Sequence, residues 1–556
     1  MVPRTKKLWF HIVKMGKPLY SPILNQSAIV TERPRRGFIL KAHKYISVPC
    51  LLAVAFGSAA VAICGQPGST PQQAPAMGSI LQRIERYIER GMSTTGVPGV
   101  AVAIVYRDKV IYLKGFGVRK AGERARIDPD TIFQLASVSK PIASTIVASL
   151  VGTHEVNWDD RIVDLDPGFK LSDPNVTAQL TIRDLLSHRS GLPTSSGDVL
   201  EDLGFSRVEV LRKMRLLPLP FQFQKDYKYS NFGYTEGAIA ASKAVREQWE
   251  NLAEERLFKP IGMTSTSYRW SDYRDARNKA AIHVFVDGQP VARYQRNPDA
   301  EAPAGSASSS VRDLAQWLRL QLADGAWNGE QIISADALNE THSPQIQSGT
   351  DPNGKPVYYG LGWNVAYDAG GNLILSHSGA FFLGTATAVR LSPSDQLGIA
   401  VITNALPTGL AEAITTTFFD LYKYGRPTQD WLTIFGDFYK KLIEDTNNES
   451  KDYSKLTPPS TPAPPKALSS YIGTYSNDYY GRIEISEDRG TLWMRLPATG
   501  ALYALTHWDA DTFTYRFEAE QGIGTRGVVF DLTAAPEVTI ENFELEGNGV
   551  FVRRNQ

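Results

Sequence analysis

Apolar residues recur at two different spacings along this chain, and the spacings divide it. Between residues 79 and 92, Ile80, Ile84 and Ile88 fall four apart, which predicts an amphipathic helix. Residues 99–106 and 109–115 are continuous, β-rich apolar runs separated only by Arg107-Asp108, the mark of two adjacent strands of one sheet. From Asp130 to Leu186 the pattern is mainly helical, and strand character returns at 373–375, 385–391 and 397–403. Strands at both ends of a largely helical middle predict an α+β unit, one sheet flanked by helices.

A change of composition closes this unit. Residues 446–466 (TNNESKDYSKLTPPSTPAPPK) are polar and proline-dense and read as an interdomain linker. Beyond them lie about eight short runs with period-two alternation, among them 482–486, 492–496, 513–517 and 527–532. They predict a small antiparallel β-barrel or sandwich over 467–556. A length of 556 residues exceeds what one hydrophobic core serves and agrees with two folded domains plus extensions.

The N-terminal end has its own pattern. Residues 46–64 (ISVPCLLAVAFGSAAVAIC) form an uncharged apolar run behind a basic leader, with small residues around Ala60-Val61-Ala62. That is the pattern of a cleaved signal peptide; an uncleaved membrane anchor is the alternative. Either places the body outside the cytoplasm, periplasmic or extracellular, with membrane contact only through 46–64. Residues 65–77, rich in Gly, Pro and Gln, read as a flexible lead-in, and the first folded domain is expected over 78–445.

Charge and reactive residue types narrow the function. The formal net charge is +1, but residues 1–45 hold ten Lys/Arg against one acid, Glu32, so the body is mildly acidic and suits no nucleic-acid partner. Both cysteines, Cys50 and Cys64, lie in the apolar N-terminal run. Disulfides, thiolate zinc sites and cysteine nucleophiles are thereby excluded from the body. The eight histidines form no HxxxH or HExxH pair, and neither a metal nor a cofactor is suggested.

Three short motifs carry candidate chemistry. Ser137-Val138-Ser139-Lys140 precedes an apolar helical run, 142–151. If Ser137 opens that helix, Lys140 lies one turn on and on the same face. There it can take the serine proton once burial lowers its pKa. Tyr229-Ser230-Asn231 precedes the helical run 232–245 and offers a phenol for acid–base work and an amide for a substrate carbonyl. As an ordinary turn before a helix, Asn231 would instead be its cap. Tyr475-Ser476-Asn477 repeats the tripeptide, but past the linker and in strand-and-turn context. His377-Ser378-Gly379 follows the run 373–376. On an edge strand, His377 would face the Ser137 helix and Gly379 would let a substrate approach the backbone. The N–H groups of Ser137 and Ala380 would then form an oxyanion hole. Taken singly, each motif is poor evidence and is better read as a helix cap, a turn or an ordinary strand histidine.

In order and spacing together, these residues resemble the serine β-lactamase and penicillin-binding family, whose signature is SxxK, SDN and KTG. The resemblance lies on its class C β-lactamase, D-peptidase and esterase side and covers roughly residues 78–430. It includes the framework stretches Val97-Pro98-Gly99-Val100, Leu185-Leu186-Ser187-His188-Arg189-Ser190-Gly191-Leu192-Pro193, Pro260-Ile261-Gly262-Met263 and Tyr359-Gly360-Leu361-Gly362-Trp363. LLSHRSGLP is accordingly read as a structural loop, and His188 and Ser190 are not taken as a catalytic pair.

The resemblance implies a β-lactamase/transpeptidase-like sheet flanked by helices, with Ser137 as acylated nucleophile, Lys140 as its activator, Tyr229 as catalytic tyrosine and Asn231 as its companion. His377-Ser378-Gly379 stands where many members have Lys-Thr-Gly. A neutral histidine brings a hydrogen bond but no fixed charge for a β-lactam carboxylate, which favours the peptidase and esterase branches. The C-terminal part resembles the lipocalin-like domain appended to some family peptidases and is expected to cover the cleft or mediate assembly. The expected activity is hydrolysis of small peptides or esters, D-amino-acid substrates included. The alternatives are a true β-lactamase and a penicillin-binding sensor that does not turn over.

Overall fold

The computed structural model describes residues 76–351, 354–533 and 535–554. The basic leader, the apolar run 46–64, Cys50 and Cys64 lie outside them, as does nearly all of the lead-in.

The isoleucine stripe becomes helix α1 (Met77–Thr95), with Ile80, Ile84 and Ile88 buried. Strands β1 (Gly99–Tyr106) and β2 (Lys109–Gly117) follow. Between them Arg107 and Asp108 both adopt positive φ, 50° and 57°, as a tight two-residue hairpin requires. The sheet is completed by β3 (Ile346–Thr350), β4 (Pro356–Tyr359), β5 (Asn364–Tyr367), β6 (Leu373–Phe381), β7 (Thr385–Ser392) and β8 (Leu397–Thr403). The eight strands run in the order β2-β1-β8-β7-β6-β5-β4-β3, and every pair is antiparallel.

Both faces of the central strands are covered, which explains why they read as unbroken apolar runs rather than alternating ones. Val100, Val102 and Ile104 of β1 face a core shared with Ile84, Ile414 and Phe418. These come from α1 and from a late helix described below. Ala101, Ala103 and Val105 point the other way, into the larger core. That core holds α2 (Ser139–Gly152), α3 (Asp198–Asp202), α4 (Asn231–Ala244) and α5 (Val311–Leu322). The late helix is α6 (Leu410–Tyr424), and α7 (Trp431–Glu449) packs on it.

Residues 446–466 are not a free linker. Helix α7 runs into them as far as Glu449. The remainder is tied to the C-terminal unit: Arg526 Nη1 donates to Ser450 O, Thr525 N to Asp452, and Ala463 N to Asp509. The prolines remove backbone donors, so the anchors come from Ser450 O and the Asp452 carboxylate ahead of them and from the N–H that Ala463 keeps among them.

The C-terminal strands close into a barrel: β9 (Gly473–Asn477), β10 (Gly481–Asp488), β11 (Thr491–Arg495), β12 (Leu502–Asp509), β13 (Thr512–Ala519), β14 (Gly522–Asp531), β15 (Glu537–Ile540) and β16 (Val550–Arg553). Buried aromatics, among them Tyr475, Phe513, Tyr515, Phe517, Phe530 and Phe551, fill its core. Among the described residues no helix is long and apolar enough to cross a membrane.

The barrel docks on the hydrolytic unit through buried carboxylates. Asp202 of α3 accepts from Glu520 N and Gln521 N at the β13–β14 turn. Glu520 accepts in return from Phe382 N and Leu383 N, just past β6. Glu546 accepts from Gly197 N and Val199 N. Arg296 sits among the acids, 2.9 Å from both Glu201 and Glu301, with Asp202 and Glu520 within 4 Å. Burial pushes Asp202 up to about 6, and Glu520 and Glu546 up to about 7. These pKa values lie above those of the unfolded chain. The stability they contribute is therefore complete at acid pH and is lost as pH rises through the folded values. Between about pH 4 and about pH 7, from the unfolded carboxylate values to the folded ones, the thermal midpoint is expected to fall, and the double variant Glu520→Gln/Glu546→Gln should flatten that slope. Calorimetry across the range checks both.

Candidate active site

The geometry begins with a strained turn. Ser137 does not open α2; it sits in a single 3₁₀ turn, Ala136–Val138, just ahead of it. Ala136 takes φ +48°, which a residue with a Cβ adopts only when its surroundings impose it. The turn is tied on several sides. Leu135 N donates to Ala307 O, and Leu135 O accepts from Thr387 Oγ1. Ser139, the interior serine of the motif, donates to Ala136 O and accepts from Ala307 N.

Lys140 begins the buried face of α2 and has no exposed surface. Its Nζ donates to Ser137 Oγ at 3.2 Å, Asn231 Oδ1 at 2.8 Å and Ala304 O at 3.1 Å. It also lies 4.5 Å from the centroid of the Tyr229 ring. Asn231 is free for this because it does not cap α4; Ser230 does, accepting from Gly233 N. The asparagine's other end, Nδ2, reaches Asp198 of α3 at 3.3 Å. Asp198 is itself buried, and desolvation together with Glu301 and Glu546 holds its pKa well above the usual carboxylate range.

Strand β6 passes directly behind the turn. It is interior to the sheet, not an edge, because β5, β4 and β3 continue beyond it. Its pairing with β5 nevertheless stops at Ser376. A Cβ on Gly379 would stand 2.3 Å from Leu135 O, 2.4 Å from Thr387 Oγ1 and 2.9 Å from Ser137 N. The glycine thus admits the protein's own turn to the strand, rather than only a substrate. The same closeness brings the Ala380 segment beside the Ser137 amide.

His377 is buried, and its ring is engaged within the protein. Nδ1 lies 2.7 Å from Ser378 O, which can only accept, so Nδ1 carries the proton. Nε2 then accepts from Tyr359 O–H at 2.9 Å. Burial, reinforced by the charge of Lys140, pushes His377 down to about 3, so the ring is neutral.

Two residues from stretches read only as framework join the group. His188 packs against Tyr229, ring centroids 4.3 Å apart, and its Nδ1 accepts from Ser230 N. Its pKa is well below normal, through burial and the nearby charge of Lys140. Tyr359 joins His188 to His377. Both stretches were recognisable as motifs, but nothing in them tells a structural histidine from one stacked on Tyr229. Asp198 and Ala304 O carried no usable signal. Tyr475 lies in the barrel, its hydroxyl donating to Tyr471 O.

A hydroxyl held against a buried amine, with a phenol ring over that amine and a strand backbone beside the serine amide, defines a serine hydrolase of the penicillin-recognising type. The chain belongs to the β-lactamase family, whose model matches residues 84–418. A second model, a domain of unknown function (DUF3471), matches 457–549, from the proline-dense segment through most of the barrel. Among relatives, "Unguisins hydrolase ungD" of Aspergillus violaceofuscus is 26% identical over 471 residues, 77% of this chain and 82% of that one. "Protein flp" of Staphylococcus aureus (strain MW2) is 22% identical over 325 residues, 58% of this chain and 63% of that one. In fold, the chain is similar to the octameric penicillin-binding protein homologue from Pyrococcus abyssi, with a TM-score of 0.55 at 19% identity, covering 85% of this chain and all of the other.

Gly379→Ala should displace the turn that holds Ser137. Labelling of Ser137 by a fluorophosphonate probe is expected to slow about tenfold or more, since small misplacements of reacting groups are costly. The rate of labelling, followed by mass spectrometry, measures this directly.

Proposed function

We propose that the protein is an exported hydrolase that cleaves amide or ester bonds of small substrates through an acyl-enzyme on Ser137. The observation that carries this reading is the 3.2 Å contact of Lys140 Nζ with Ser137 Oγ, in a lysine also held by Asn231 and Ala304. With Lys140 in its neutral amine form, Ser137 Oγ attacks the carbonyl carbon and its proton passes to the Lys140 lone pair, with Tyr229 alongside. The oxyanion forms against the N–H groups of Ser137 and Ala380. Tyr229 protonates the leaving amine or alcohol. Water then attacks the acyl-serine and releases the acid.

Peptides and esters are favoured over β-lactams as substrates. A neutral His377 hydrogen-bonded to Tyr359 supports this, because it presents no fixed cation to a β-lactam carboxylate. The unguisins hydrolase likeness supports hydrolysis by a chain of this overall length. Export rests on the basic leader and the apolar run 46–64.

Ser137→Ala should abolish turnover with the thermal midpoint little changed, and Lys140→Ala should lower kcat by about a hundredfold or more. Parallel assays with a p-nitrophenyl ester, a D-amino-acid amide and nitrocefin rank the substrate classes. Nitrocefin turned over fastest would make the protein a β-lactamase; a stable adduct with every substrate would make it a sensor. Full activity in Ser137→Ala would sink the mechanism.

A further inference from the structure

The barrel's buried Glu546 is joined to the nucleophile by an unbroken line of contacts. Its Oε1 accepts from Gly197 N at 3.0 Å and Val199 N at 3.1 Å. Asp198, between those two residues, receives Asn231 Nδ2. Asn231 Oδ1 receives Lys140 Nζ, and Lys140 Nζ reaches Ser137 Oγ. Glu546 is held from behind by Tyr480, whose hydroxyl lies 3.3 Å from Oε2. A second barrel acid, Glu520, binds Phe382 N and Leu383 N, immediately beyond the β6 segment that flanks Ser137. The barrel therefore grips the two segments that border the nucleophile, and does so with side chains on backbone amides.

We propose that the C-terminal barrel is a working part of the active site, and that Glu546 is a positioning residue acting through Asp198 and Asn231 on Lys140. The proposal rests on the reading of Lys140 as the partner of Ser137. Asn231 has one amide to divide between two neighbours. Its oxygen meets Lys140 only while its nitrogen is engaged by Asp198, and Asp198 keeps its place only while the amides on either side of it are held. Loss of Glu546 leaves those two buried N–H groups without their acceptor. The segment must shift to find another, and Lys140 loses the group that orients it.

The test uses the full chain, with active sites titrated by a fluorophosphonate so that misfolded protein is not counted. Glu546→Ala is expected to lower kcat per titrated site for a p-nitrophenyl ester by roughly tenfold to a hundredfold, with a smaller change in KM. Glu546→Gln, whose amide oxygen can still accept both N–H groups, should recover most of that loss. Asp198→Ala should give a similar fall, and the double variant Glu546→Ala/Asp198→Ala should lose no more than the worse single one, since both act along one line. Lys213→Ala removes a different barrel contact, to Asp478 O, and should leave kcat unchanged.

If Glu546→Ala yields no titratable enzyme, Glu546→Asp, which keeps the charge and shortens the reach, is read by the same criteria. Wild-type kcat per titrated site in Glu546→Ala, or losses that multiply in the double variant, would overturn the proposal. The outcome is separable from that of Ser137→Ala: an enzyme dead in Ser137→Ala but unaffected by Glu546→Ala keeps its mechanism and loses only this role for the barrel.

Discussion

A lysine side chain with no exposed surface must find an acceptor for each N–H, because the interior offers no water to take them. Lys140 finds three, Ser137 Oγ, Asn231 Oδ1 and Ala304 O, from three separate segments. Much of the unit can be read as the means of bringing those acceptors to one point. Ser137 is delivered by a turn with a residue at positive φ, Asn231 by the first turn of α4, and Ala304 by the segment ahead of α5. The sheet supplies the rigid backing, since β6 and β7 touch the serine turn through Gly379 and Thr387.

The same low-dielectric setting sets the states of the groups around the lysine. His188 and His377 are kept neutral by burial and by the lysine's own charge. Asp198 is pushed toward its neutral form by burial and by two neighbouring glutamates. The barrel adds Glu520 and Glu546, with Arg296 between the two units facing more carboxylates than one guanidinium can neutralise. Such a cluster is expensive unless its members bind amides, as Asp202, Glu520 and Glu546 do. The barrel's own core is filled by aromatic side chains, and its buried carboxylates reach the larger unit.

Periodicity carried the architecture. Continuous apolar runs identified strands buried on both faces, a four-residue spacing identified α1, and period-two alternation beyond the prolines identified the barrel. The motifs located Ser137, Lys140, Tyr229 and Asn231 because their chemistry is local: a turn of backbone separates the first two, and two residues the others. The expectations that changed were those about surroundings. Whether β6 was an edge depended on β3, β4 and β5, whose weak strand pattern did not announce them. Whether 446–466 was a free linker depended on acceptors that Arg526 and Thr525 reach from far along the chain.

The amino-acid order by itself thus determined the first helix, the long apolar strands and the alternating C-terminal strands, and which hydroxyl, amine, phenol and amide were available. Those properties follow from hydrophobic spacing and residue chemistry over a few neighbouring positions. Only the tertiary structure decided that His377 faces Tyr359, that Gly379 makes room for the serine turn, and that a glutamate near the C-terminus grips the loop around Asp198. Each of these joins residues that folding brings together from distant parts of the chain, and a pattern read along the chain carries no record of the partner.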